Sequence, residues 1–442
     1  MNTAQLFNIG KSTVVIVSLT ALVVGSSIAF FSDQESSTNN LFSAGSIDLK
    51  VGNESYYNGQ LSNTTSWQPT DLENELFFNF GDVKPGDWGE DTISLQVNTN
   101  DAWACFDMTL TKNDDVSSTA NELTAGDTAN DVDNAFDGEL AQALQFLFWA
   151  DDGDNVLEDD ENDALIMQGN ADTVLDASVT LADSSDNNID NSTADGDPLE
   201  GSTTYYMAKA WCFGSLAQTP VAQDGVGDGS INNPTIDPGI TCDGSSVNNI
   251  TQTDTIMADI SFYAEQARHN ETFVCPECEK GENVWGFSVA SFSQGLRKDG
   301  SPVLANRSIP NNTLGAPQGL VNPPKWYSLG FGGSVTVAYE HPIIDVPGVD
   351  VSIHEITGGR PTYPVELASV QVSQNGTTFQ SIGTASSLPD GVDYFDFSPT
   401  GYEWIKYIRV TDTTNPAIHT NDADGFDLDA VDGVKFDSCA DN

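Results

Sequence analysis

Eight carboxylates crowd into the thirteen residues Asp151–Asp163, DDGDNVLEDDEND, with no basic side chain among them. Like charges at that density repel unless a cation neutralises them, and hard divalent cations such as calcium prefer clustered oxygen ligands. Set against a twelve-residue calcium loop, Asp152, Asp154, Glu158 and Glu161 fall at positions 3, 5, 9 and 12, with Val156 offering a carbonyl at position 7. Gly153 and Asn155 allow the tight bends such a loop needs. Position 1 falls on Ala150, which has no ligand to give. The alternative is a solvated acidic loop. A second candidate is Asn421–Asp429, NDADGFDLD, where Asp422, Asp424, Asp427 and Asp429 surround Gly425 at a turn entering a strand. Alternation along that strand predicts that Asp427 and Asp429 share a face. Both sites are expected to take structural calcium.

Other chemistry finds little support. His269, His341, His354 and His419 are scattered, and His354-Glu355-Ile356-Thr357-Gly358 opens like HExxH but lacks the second histidine and sits in a strand-like context. A zinc protease needs three protein ligands and an open position, and no G-x-S-x-G elbow is present. The chain reads as a non-enzyme. Trp285, Trp326, Tyr327, Tyr363 and Trp404 offer aromatic faces for a glycan, set against ordinary core packing.

Charge narrows the partners. Lys plus Arg number 15 against 66 Asp plus Glu, a net charge of -51. Such a chain repels nucleic acid and anionic membrane surfaces. The 442 residues suffice for two domains with cores of their own.

The elements that must position these groups read as strands. Ile93, Leu95 and Val97 alternate with polar residues, as do Phe106, Met108 and Leu110, and Ile260, Phe262 and Ala264. Val83-Lys84-Pro85-Gly86-Asp87 reads as a turn between two strands, Asn53–Thr70 as an irregular loop, and Asn113–Asp137 as polar turns. Leu140–Trp149 reads as a short helical start running into a strand, and Gln218–Asn249 as a long surface excursion. From Glu282 onward short strands alternate with Gly/Pro/Asn turns, the rhythm of an antiparallel sandwich. The predicted fold is all-β: two antiparallel β-sandwich, jelly-roll-like domains, residues 30–274 and 282–442, joined by residues 275–281.

The N-terminus reads as an export signal. Lys11 precedes an apolar run from Val14 to Val24, followed by small residues that place cleavage between Ala29 and Phe30. The run is too short to span a bilayer comfortably, and the mature chain is expected to have no membrane anchor. In an exported chain the six cysteines imply disulfides. Cys278 and Cys439 bracket the C-terminal module and are expected to pair, because the termini of a sandwich often lie close. Cys105, Cys212, Cys242 and Cys275 then pair within the first domain, with Cys212–Cys242 one possibility.

Two resemblances follow from these residues. Phe30-Phe31-Ser32-Asp33, a polar spacer, and then Phe42, Ala44, Gly45, Ile47, Asp48 and Leu49 resemble the N-terminus of the TasA/camelysin (CalY) family, and the KPGD turn extends the likeness. That family implies a dedicated SipW-type signal peptidase, a secreted β-sandwich, and fibres in biofilm matrix. Its metalloendopeptidase annotation finds no residues here to rest on. Ser328–Val337 and Val370-Gln371-Val372-Ser373 with Gly376 resemble the galactose-binding-domain-like module of bacterial surface proteins, which often holds calcium. Together they imply an extracellular or cell-surface matrix protein that self-associates into fibres and displays its C-terminal sandwich. The alternative is a monomeric calcium-dependent adhesin or glycan-binding surface protein.

Overall fold

Strand-forming sequence dominates because apolar residues recur at every second position, which suits a sheet with one face against a core. The computed structural model describes residues 48–73, 75–98, 100–161, 163–190, 196–223, 233–356 and 363–441. The apolar run, the Ala29–Phe30 junction and residues 41–47 of the first predicted strand lie outside them. Within the described residues the fold is all-β, and no helix is long and apolar enough to cross a membrane.

The first half is built from β1 (Leu49–Tyr57), β2 (Gln60–Leu61), β3 (Trp67–Thr70), β4 (Trp88–Val97), β5 (Ala102–Asp115), β6 (Leu144–Asp151), β7 (Leu165–Asn170), β8 (Ser178–Ala182), β9 (Thr203–Phe213), β10 (Ser215–Gln218), β11 (Ile240–Asp243) and β12 (Asp254–Gln266). One sheet runs β2-β1-β4-β9-β6-β7, with β3 also on β1, and faces a second sheet β12-β5-β8. Between them lie Ile93, Leu95, Val97, Phe106, Met108, Leu110, Phe146, Phe148, Met207 and Trp211. The large sheet also carries a smaller apolar layer on its outer face: Leu147, Trp149, Ala208, Ala210 and Cys212, covered by Leu157, Leu216 and Ile240.

The second half contains β13 (Lys280–Trp285), β14 (Ser288–Ser293), β15 (Tyr327–Ser328), β16 (Ser334–Ile344), β17 (Val351–Glu355), β18 (Leu367–Ser373), β19 (Gln380–Ser386), β20 (Val392–Phe395), β21 (Trp404–Asp412) and β22 (Asp427–Asp437). The run β19-β18-β21-β16, edged by β14, meets the run β22-β17-β20, edged by β13 and β15, where Ile343 pairs with Phe436. They wrap a core of Val335, Val337, Val351, Ile353, Val370, Ile405, Ile408, Phe426 and Val431. Three disulfides hold the chain: Cys105–Cys275, Cys212–Cys242 and Cys278–Cys439. Buried lysines tie the two halves together. Lys280 Nζ meets Asp107 at 2.6 Å and donates to the Met108 carbonyl, and Lys435 reaches Asp176 and lies over the Phe136 ring.

Three local expectations need correction. Asn53–Thr70 is not an irregular loop: it holds the end of β1 together with β2 and β3. Asn58 and Gly59, at φ 48° and 70°, make the two-residue hairpin, and Asn53 is buried with its Nδ2 donating to the Thr65 carbonyl at 2.7 Å. The turn at Lys84–Asp87 is followed by β4 but not preceded by a strand; residues 75–83 are irregular, with Phe77 buried. The polar tract after β5 contains a helix, Ala120–Ala125, whose Thr119 and Glu122 form a capping box.

Candidate metal centre

Strand alternation puts Glu90 on the outer face of the large sheet, opposite Ile93, Leu95 and Val97. Its row runs Glu90, Ala210, Leu147, and the last two belong to the outer apolar layer. β6 ends on the same face at Asp151, and the acidic loop folds back from there over Glu90. Val156 and Leu157 bury completely and anchor the loop. Leu157 N–H donates to the Pro238 carbonyl, and its own carbonyl accepts from Val221. Gly239 packs so closely on Leu157 that a Cβ there would sit 2.1 Å from its carbonyl oxygen. The Cys212–Cys242 bond fastens that covering segment to β9.

Backbone N–H groups shape the loop. Asp151 Oδ2 accepts from Gly153 at 3.0 Å and Asn155 at 3.3 Å, Asp154 Oδ1 accepts from Val156, and Gly153 and Asn155 take φ of 114° and 63°. Asp152, Asp154 and Glu158 thereby bring one oxygen each within 4.8 Å of one another. Glu161 does something different: its two oxygens accept from the Asp152 and Glu158 N–H groups, at 2.9 and 3.2 Å, and close the loop. Beneath this group Glu90 is 0% exposed, and neither of its carboxylate oxygens has a hydrogen-bond partner.

Electrostatics make the arrangement costly without a cation. Burial pushes the Glu90 carboxyl well up, and the nearby like charges of Asp151, Asp91 and Asp154 push it further. Asp151 is raised by burial and by Asp154, and Glu161 is raised to about 9 by burial and then Asp151. A buried unpaired carboxylate must bind a proton or a cation. The donor set, all oxygen and mostly carboxylate, fits calcium. Glu90 and Asp151 were missed in the sequence. Asp151 abuts the assigned loop, whereas Glu90 is a lone acid in a strand that only the β4–β9–β6 pairing brings beneath it.

The second predicted site is divided. Asp424 and Asp427 face Arg307, at 2.9 and 3.6 Å, and Asp427 accepts from the Ser328 hydroxyl. Glu355 and Glu366 bring oxygens within 4.8 Å of the Asp427 carboxylate, which burial and Asp424 push up to about 8. Asp422 is exposed and accepts from Thr420. Asp429 accepts instead from Gly319 N–H at 2.8 Å. A register shift between His354 and Glu355 in the β17–β22 pairing breaks the alternation on which a shared Asp427–Asp429 face depended. Arg307 already supplies positive charge here.

A third cluster, unremarked in the sequence, joins Asp115, Glu122 and Asp254 where β5 ends and β12 begins. A cavity of about 910 Å³ opens nearby between the two sheets, floored by Phe78, Phe80, Phe146, Trp211 and Phe213. Of the aromatic residues proposed as a glycan platform, Tyr327 is wholly buried in the C-terminal core. His354 lies on β17 and bonds Asp432 at 2.7 Å.

No family model matches the chain, and no curated protein matches it. Among solved structures, the chain is similar to the CBM32 of AlyQ in complex with 4,5-unsaturated mannuronic acid: 12% identity, TM-score 0.21, covering 34% of this chain and 96% of that one. It is similar to the C-terminal domain of a chitobiase from Bacteroides fragilis, at 14% identity and TM-score 0.21, covering 35% of this chain and 94% of that one. A two-domain protein with unknown function from Bacteroides fragilis covers 78% of this chain and 84% of its own length, at 10% identity and TM-score 0.21. At these identities no residue role transfers.

Proposed function

We propose that this chain is an exported, calcium-dependent binding protein of the cell surface, an adhesin of two sandwiches rather than an enzyme. The carrying observation is Glu90, a fully buried carboxylate without a hydrogen-bond partner, beneath a loop that converges further carboxylates above it. Calcium there would fix the loop to the sheet and stabilise the N-terminal sandwich. Three disulfides suit an oxidising compartment, and the closure of the C-terminal sandwich by Cys278–Cys439 suits a displayed module. The fibre reading rests on the N-terminal resemblance, whose residues lie outside the described ones except for Asp48, Leu49 and the KPGD turn, so the adhesin reading has the firmer footing.

The test combines calcium-dependent thermal unfolding with sedimentation of the purified mature protein. The proposal expects a higher melting temperature in calcium than in chelator, with a monomer in both. Coincident melting curves would remove the calcium role, and filaments in calcium would restore the fibre reading.

A further inference from the structure

The inward face of β12 is apolar at Ile256, Ala258, Ile260 and Phe262, yet the strand begins with an acid, Asp254. Alternation puts Asp254 on the parity of those four residues, toward the first core. Its direct partner across the ladder is Asp115, the last residue of β5 and only 1% exposed. These two and the fully buried Glu122 bring oxygens within 4.8 Å of one another, and the charges of Asp127 and Glu139 bear on the same group. Asp254 Oδ2 accepts from the Glu139 N–H at 2.7 Å. Its Oδ1, Glu139 Oε2 and both Asp127 oxygens are shut off from solvent and have no hydrogen-bond partner. The nearest lysine along the chain, Lys112, is taken by Asp114 at 2.8 Å. Burial, followed by the charges of Asp127, Asp254 and Asp115, holds the Glu139 carboxyl up at about 7. A cation beside these groups removes that cost.

Asp254 also lines the cavity of about 910 Å³ between the two sheets, a volume in the range of small-molecule sites. The floor of that cavity is aromatic, with Phe78, Phe80, Phe146, Trp211 and Phe213 along it. The rings of Phe80 and Trp211 lie 5.4 Å apart between centroids. Lys84 is the only basic residue in the described lining, and Asp82 pairs with it at 2.6 Å. Carboxylate without a counter-charge and bare π faces therefore meet in one cavity.

We infer that this cavity binds an organic ammonium ion, an amine carried on an apolar body, with Asp254 as its counter-charge and Phe80 and Trp211 as its aromatic walls. Ring faces attract a cation through their quadrupole, most strongly where water is excluded. An inorganic ion would satisfy the acids and leave the aromatic floor bare. A neutral hydrocarbon would cover the floor and leave the acids without a partner. An ammonium ion on an apolar body does both, and a net charge of -51 draws cations toward the chain. The inference is independent of the calcium loop, which covers the outer face of the large sheet, whereas the cavity lies between the sheets.

The experiment is calorimetric titration of the mature chain with two matched series: hexylamine, hexanol and hexanoate, then benzylamine, benzyl alcohol and benzoate. Each is run at neutral pH, in calcium and in chelator. The parent is expected to bind an amine about tenfold more tightly than the matching alcohol, and the carboxylate not at all. Asp254→Asn keeps an oxygen to accept from the Glu139 N–H, and should abolish the preference for amine over alcohol while alcohol binding persists. Phe80→Leu should weaken amine and alcohol together. Should Asp254→Asn fold poorly, Glu139→Gln replaces it with the same expectation. Equal binding of amine and alcohol by the parent, or an unchanged preference in the folded carboxamide variant, overturns the inference. Displacement of the amine by calcium makes this an inorganic cation site and overturns the ligand class. A parent that binds none of the six compounds overturns the site, and none of these outcomes bears on calcium at Glu90.

Discussion

Replacing Glu90 with glutamine should shift stability in opposite directions with and without calcium. In the parent, calcium at a hundredfold excess over Kd adds about 2.7 kcal/mol. For a sandwich of this size that is about 5–10 °C in Tm. If the lost carboxylate weakens affinity a hundredfold, the same calcium adds only about 0.4 kcal/mol, or about 1–2 °C. In chelator the sign reverses, because Glu90 is then buried with the like charges of Asp151 and Asp154 and no hydrogen-bond partner of its own. Without the ion, Glu90, Asp151 and Glu161 all have folded-state pKa values raised above those of the unfolded chain, Glu161 to about 9. The folded state then holds protons more tightly than the unfolded one. The apoprotein therefore loses stability as pH rises from the unfolded carboxylate value of about 4.3 toward the folded one, by up to about 1.4 kcal/mol per pH unit per group. Glu90→Gln removes one such group, so in chelator at pH 8 the variant should melt above the parent and depend less steeply on pH. Differential scanning calorimetry between pH 5 and 8, in calcium and in chelator, reads both effects. An undiminished calcium increment in Glu90→Gln, or a variant less stable than the parent in both buffers, would refute the reasoning.

Lys209 is the only cation paired with the buried Asp91 among the described residues, and it also donates to the Phe77 carbonyl at 3.2 Å. Lys209→Met should cost about 3–5 kcal/mol by leaving Asp91 charged and alone, seen as a lower urea midpoint that an added Asp91→Asn partly restores. Replacing Cys278 and Cys439 with serine opens a bridge spanning 161 residues, and should cost about 2–4 kcal/mol with early proteolysis around β13 and β22. Lys280 and Lys435 hold the two halves together, so Lys280→Met with Lys435→Met should split one calorimetric transition into two.

The strands with clean alternation were legible. Ile93, Leu95 and Val97 and the Phe106, Met108, Leu110 series all lie in the first core. So was the short helix Leu140–Ala143 running into β6. Cys278 and Cys439 were assigned by the same geometry that joins them, since one precedes β13 and the other follows β22. Polar composition hid β1–β3, because Asn53 and Ser55 are buried in a sheet rather than in apolar surroundings; the Asn58-Gly59 dipeptide was the signal to weigh. Thr119 with Glu122 was a similar local signal for a helix inside a tract read as turns. The register shift that separates Asp429 from Asp427 has no mark in the sequence, since it arises from pairing with β17. Glu90 was beyond reach for the same reason: its partners lie about sixty residues away and on other strands.

The central claim is that a cation joins the acidic loop to Glu90. Long-wavelength anomalous difference density from crystals grown in calcium tests it most directly. A peak is expected about 2.3–2.6 Å from carboxylate oxygens of the Asp152, Asp154 and Glu158 group, with Glu90 turned toward it. A featureless map, with Glu90 and Asp151 sharing protons under the loop instead, would contradict it.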